Sequence, residues 1–187
     1  MTPIHILGIA GSLRRDSLNR RVLAAARNLL PEGATLAPFD LDGIPLYNQD
    51  LEAPLPGPVA EFKECIRAAD AVLFVTPEYN YSVPGVLKNA LDWASRPSGE
   101  NAWDGKPAAL MGASPGNLGT ARAQYHLRQI LVALNMPVLN RPEVMIANAA
   151  QRFDEGGELN DAPTRERIRK LVAALVSFAR QLRTPGA

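Results

Sequence analysis

Short apolar runs alternate with amphipathic helical patterns along the chain, and that alternation leaves few folds open. The first run starts at Ile4 and gives way at Gly11 to small, polar and basic residues. Leu18, Val22, Leu23, Ala26, Leu29 and Leu30 then recur at helical spacing. Thr35–Phe39 reads as a short second strand and Val59–Ala69 as a second helix. Ala71–Thr76 is a continuous apolar run, the mark of a strand buried on both faces. A third helix over Val86–Ala94, a fourth strand over Pro107–Ala113 and a fourth helix over Ala121–Leu134 follow. A fifth strand over Pro137–Leu139 and Val144–Ile146 is interrupted near Pro142. A last helix runs over Thr164–Leu182. Strands that alternate with helices in this way form a parallel sheet covered on both faces, an α/β fold. At 187 residues a single domain spanning 1–187 is expected.

In such a sheet the ligand sits beyond the carboxyl ends of the strands. Three unusual loops fall there. The first, Gly11–Asn19, carries Ser12, Ser17, Arg14 and Arg15, with Ser17 or Asn19 where a helix cap belongs. A helix N-terminus with hydroxyls and arginine suits a phosphate; the same residues also describe an ordinary capped turn. Neither the nucleoside-triphosphatase loop nor the dinucleotide fingerprint is present. The second loop, Pro77–Gly85, holds Tyr79 and Tyr81 between Pro77 and Pro84. The third, Ser114–Thr120, holds Gly116 and Gly119. A phosphate cradle, an aromatic wall and a glycine-lined floor suit a flat ring with a phosphate tail, which is the shape of flavin mononucleotide (FMN).

Composition narrows the partners. The net charge of +1 gives no case for nucleic acid. No apolar stretch approaches the ~20 residues of a membrane span. Cys65 is the only cysteine, so disulfides and cysteine zinc sites within the chain are excluded and a cytoplasmic location is expected. Cys65 falls in a helical pattern and reads as a small core residue. His5 and His126 are too isolated to make a metal site.

The three loops also carry a resemblance. G-S-L-R-R-D-S-L-N at 11–19, T-P-E-Y-N-Y-S-V-P-G-V-L-K-N-A-L-D-W at 76–93 and S-P-G-N-L-G-T-A-R at 114–122 resemble the NADPH-dependent FMN reductase family, most closely its bacterial quinone and chromate reductase branch. The resemblance implies a flavodoxin-like α/β/α sandwich with a five-stranded parallel sheet in the order 2-1-3-4-5. It implies FMN as cofactor and NADPH or NADH as electron donor. It places Gly11, Ser12, Arg14, Ser17 and Asn19 at the FMN phosphate, Pro77, Glu78, Tyr79 and Asn80 along the ring, and Ser114, Gly116 and Gly119 in the third flavin loop. It implies a homodimer or homotetramer, with Ala121–Gln129 resembling the helix used for tetramer contacts. The implied reaction moves two electrons as hydride through the flavin to a quinone, chromate, an azo compound or free flavin, without a catalytic side chain. An FMN-binding electron carrier that does not oxidise NAD(P)H is the alternative. A signalling receiver of similar topology ranks last, because it needs an acidic pair where Gly11 and Ser12 stand.

Overall fold

A computed structural model describes residues 2–183. Strand β1 (Ile4–Ala10) leads into helix α1 (Leu18–Arg27), followed by β2 (Ala34–Phe39) and α2 (Gly57–Ala68). Then come β3 (Ala71–Val75), α3 (Gly85–Ala94), β4 (Ala108–Ala113), α4 (Ala121–Ala133), β5 (Val144–Ile146) and α5 (Ala162–Leu182). The five strands form one sheet in the order β2-β1-β3-β4-β5, and every neighbouring pair is parallel. This is the flavodoxin-like arrangement expected. No described helix is long and apolar enough to cross a membrane.

Side-chain alternation along the strands divides the core in two. Ile4, Ile6, Leu73 and Val75 pack with α1 and α5 on one face. Ile9, Val72, Phe74 and Leu110 pack with the other three helices on the opposite face. All five residues of β3 are buried, as its unbroken apolar run requires. Trp103, in the polar loop after α3, is fully buried against Phe62 and Phe74. Cys65 is half-buried; burial, then Glu61 and Glu64, raises its thiol above the ordinary value. It is therefore a packing group and a poor nucleophile at neutral pH.

Three boundaries depart from expectation. Helix α2 starts at Gly57 and α5 at Ala162, because Pro58 and Pro163 sit in first turns, where no backbone N–H is needed. Asp161 caps α5 through the Thr164 N–H. The fifth strand keeps only its second half. Val138 makes one isolated parallel bridge to Ala108, and the sheet resumes at Val144.

The long loop between β2 and α2 is anchored by α3. The Asn89 amide and Trp93 Nε1 both donate to the Pro45 carbonyl at 2.8 Å, and the Tyr47 N–H donates back to Asn89 at 2.7 Å. Trp93 thus anchors α3 to this loop, its indole finding a partner inside the chain.

At the amino ends of the strands, Asp70 accepts from the His5 N–H at 2.8 Å and from Arg183 at 2.6 Å. Burial pushes the Asp70 carboxyl up, but these donors outweigh it and hold it below its ordinary value. A carboxyl depressed on folding stabilises the fold above its unfolded pKa and loses that contribution as pH falls toward the folded one. Asp70→Asn should therefore cost about 1 kcal/mol at pH 7. The gap to the parent should close in acid, read as urea midpoints at pH 7 and below pH 4.

Candidate cofactor site

Strand β1 delivers the first loop to the carboxyl edge of the sheet. The Gly11 N–H donates to the Val75 carbonyl at 2.9 Å. A Cβ on Gly11 would press on Leu87 at 3.2 Å and Pro77 at 3.3 Å, so glycine is what lets the first two loops approach. Ser12 and Ser17 are each 4% exposed. The Ser17 hydroxyl caps α1, accepting from the Asn19 and Arg20 N–H groups; of the two capping candidates, Ser17 is the cap. The exposed Arg14 donates to the Asp16 carbonyl at 2.6 Å, which folds its guanidinium back over the loop.

The second loop turns at Asn80 and Tyr81, both in the left-handed region at φ 48 and 69. Tyr79 and Ser82 close the turn with two backbone hydrogen bonds. The third loop is tied to the segment after β5: Ser114 N–H donates to the Ile146 carbonyl, Asn148 to Gly116 and Ala149 to Ser114. Gly119 has φ 55 and lies so close to β5 that a Cβ would stand 2.6 Å from the Met145 carbonyl carbon.

A cleft of about 340 Å³ opens where these loops meet. Of the twelve residues expected at the cofactor, Ser12, Arg14, Ser17, Asn19, Pro77, Glu78, Tyr79 and Ser114 line it. Gly11, Asn80, Gly116 and Gly119 do not: Gly11 and Gly119 permit close backbone approaches, Asn80 turns the second loop, and Gly116 offers its carbonyl to the Asn148 N–H. Leu18, Ala113, Pro115 and Ala150 complete the lining. Ala150 carries no chemical signal in sequence; only the ties between loop three and residues 146–149 bring it in. A larger hollow, about 410 Å³, lies along α1 and β2, lined by Leu23, Leu36 and Pro38. Its size does not make it the site, since it gathers none of the loop hydroxyls that an anion needs.

The charges fit the cleft. Glu78, whose side chain is 8% exposed, points away from any acid–base role: it is ion-paired with Arg122 and accepts from the Arg122 and Ala123 N–H groups. Arg122 also lies 3.5 Å from the centre of the Tyr81 ring. With Glu78 neutralised, Arg14 and two hydroxyls dominate the phosphate end. His126 meets Ser82 and His5 meets Thr35, and no cluster that could hold a metal occurs among the described residues. Two buried hydroxyls, a helix N-terminus and one arginine fit a phosphate monoester; Pro77 and Tyr79 wall a space suited to a ring.

Residues 4–151 match the family described as NADPH-dependent FMN reductase. The chain belongs to that family. It is 55% identical over 181 residues to an NAD(P)H-dependent FMN reductase of Pseudomonas aeruginosa, covering 96% of this chain and 97% of that one. It is 47% identical over 174 residues to a quinone reductase of Pseudomonas putida, covering 92% of each. Among solved structures it resembles the flavoenzyme NAD(P)H:(acceptor) oxidoreductase FerB of Paracoccus denitrificans. That match has a TM-score of 0.89 and 38% identity, covering 95% of this chain and 98% of that one. In this FMN reductase the family's three motif loops are the ones that converge on the cleft.

Proposed function

We propose that this chain is an FMN-dependent NAD(P)H oxidoreductase, a single domain over 1–187, that passes two electrons as hydride to quinones and similar small acceptors. The observation that carries the reading is the meeting, at one cleft, of Ser12, Ser17 and Arg14 with the Pro77–Tyr79 wall. Membership of the family and the names of the Pseudomonas relatives support the donor and acceptor classes.

FMN, when bound, supplies the hydride chemistry at N5 of its ring. Ser12, Ser17 and Arg14 hold its phosphate. Pro77 and Tyr79 orient the ring, and backbone N–H groups of the loops stabilise charge at its edge. Glu78 is the one carboxylate in the cleft lining, and its ion pair with Arg122 and its two backbone donors leave it unavailable as an acid or base. Tyr79 is 51% exposed, so the open face beside it accommodates the nicotinamide and then the acceptor in turn. With Arg14 on the FMN phosphate, the exposed Arg15 next to it is the arginine left to reach the phosphate of NADPH.

A homodimer or homotetramer is part of the same reading. Tyr125 (50% exposed) lies on the helix expected at subunit contacts, and the ring of Tyr81 (67% exposed) packs against Arg122 of the same helix, so both present aromatic surface there. A cytoplasmic location is supported by the single unpaired Cys65.

The test is anaerobic mixing of the FMN-loaded protein with NADPH or NADH. The flavin absorbance should bleach within the turnover time, and steady-state lines against quinone should be parallel in double-reciprocal form. A protein that stays oxidised is an electron carrier, and intersecting lines contradict alternating use of one face.

A further inference from the structure

Two residues that the motifs place among the cofactor ligands spend their polar atoms elsewhere. Asn19 is 3% exposed, in the first turn of α1. Its Oδ1 accepts from the Ala113 N–H at 2.8 Å, and its Nδ2 donates to the Ala113 carbonyl at 2.9 Å. The backbone donor and acceptor of one residue fix which way this amide points. Ala113 ends β4, and β3 lies between β4 and the strand that carries the first loop. Asn19 thus reaches across a strand to tie loop one to the root of loop three.

Glu78 makes the matching tie. Thr120, at the N-terminus of α4, has φ 70 and makes no side-chain cap. Glu78 Oε2 takes over, accepting from the Arg122 N–H at 3.1 Å and the Ala123 N–H at 3.2 Å, while Oε1 holds the Arg122 guanidinium. Loop two is thereby fastened to the exit of loop three.

We propose that Asn19 and Glu78 are positioning residues: cross-braces that set the width and orientation of the cleft, and not ligands of the cofactor. The inference rests on the FMN reading for the ligand, but the braces are contacts within the chain and can be tested without it. Preformed walls spare the ligand the cost of ordering three loops. A brace and a phosphate ligand differ in one measurable way. Losing a ligand of the phosphate weakens FMN and spares riboflavin, which has no phosphate. Losing a brace loosens the whole cleft and weakens both.

The experiment is fluorescence titration of Asn19→Ala, Glu78→Ala and Glu78→Gln with FMN and with riboflavin, alongside hydrogen exchange at the Ala113 and Ala123 amides. Asn19→Ala should weaken both flavins by a common factor of about ten, leaving their affinity ratio at the parent value, and should speed exchange at Ala113. Glu78→Ala should do the same with faster exchange at Ala123. Glu78→Gln keeps an acceptor oxygen for the two amides and should recover most of the affinity. FMN weakened with riboflavin spared overturns the proposal, as does unchanged exchange, or Glu78→Gln behaving like Glu78→Ala. If Asn19→Ala does not fold, the Glu78 pair carries the test. If the parent binds neither flavin, the proposed function fails, while faster exchange in the variants still upholds the braces.

Discussion

Gly112→Ala should cost this protein about 3 kcal/mol of stability, more than any substitution in the cleft itself. Gly112 lies in β4, fully inside the sheet. A Cβ there would overlap both the Thr120 hydroxyl and the backbone carbonyl oxygen of Thr76, with Thr120 Cβ at 3.1 Å. Neither neighbour can retreat. Thr76 is buried and its N–H is bonded to the Met111 carbonyl, while Thr120 is 1% exposed and its hydroxyl accepts from Gln124. The missing side chain is what lets the start of α4 close down on the sheet and loop three take its path. The measurement is the urea midpoint at unchanged slope. A midpoint within 0.3 M of the parent would mean that this contact is not as tight as described.

Arg14→Ala should weaken FMN about 30-fold and change riboflavin affinity less than twofold. The guanidinium is the one charge that the first loop adds to the cleft lining, and it is held in the loop by donating to the Asp16 carbonyl at 2.6 Å. A charge-assisted hydrogen bond to a phosphate dianion contributes about 2 kcal/mol, which converts to that factor. Arg14→Lys should restore part of the loss, since the charge returns without the planar fork. Added salt should narrow the difference between parent and Arg14→Ala, because an exposed charge is screened. Equal losses for FMN and riboflavin would place the phosphate somewhere other than this loop.

Much of the fold is legible in the sequence, for a physical reason. A strand covered on both faces has no polar side, so Ala71–Val75 announces itself by composition alone. Amphipathic helices between such runs then leave a parallel sheet as the only economical packing. Edges are harder. Pro163 looks like a stop yet belongs to a first turn, and the piece at 137–139 has strand character but makes a single bridge. Lys63 is 1% exposed, its Nζ meeting the Arg96 carbonyl, and nothing about a lysine in a helix foretells that.

The site divides in the same way. Serines and an arginine at a strand–helix turn declare an anion by their chemistry, wherever the chain goes next. Asn19 and Glu78 have chemistry that fits a ligand equally well. Their partners are backbone atoms, at Ala113 and at Arg122 and Ala123, and backbone atoms leave no mark in a sequence. Of the four motif residues outside the cleft lining, Gly11, Asn80 and Gly119 matter through backbone geometry, which residue type reports only indirectly, and Gly116 contributes a carbonyl that any residue would supply.

Calorimetric titration of the pure, flavin-free protein with FMN and then with riboflavin addresses the cradle itself. One FMN per chain, bound at least tenfold more tightly than riboflavin, is the predicted result. An absence of FMN uptake, or equal affinity for the two flavins, would contradict a phosphate held by Ser12, Arg14 and Ser17.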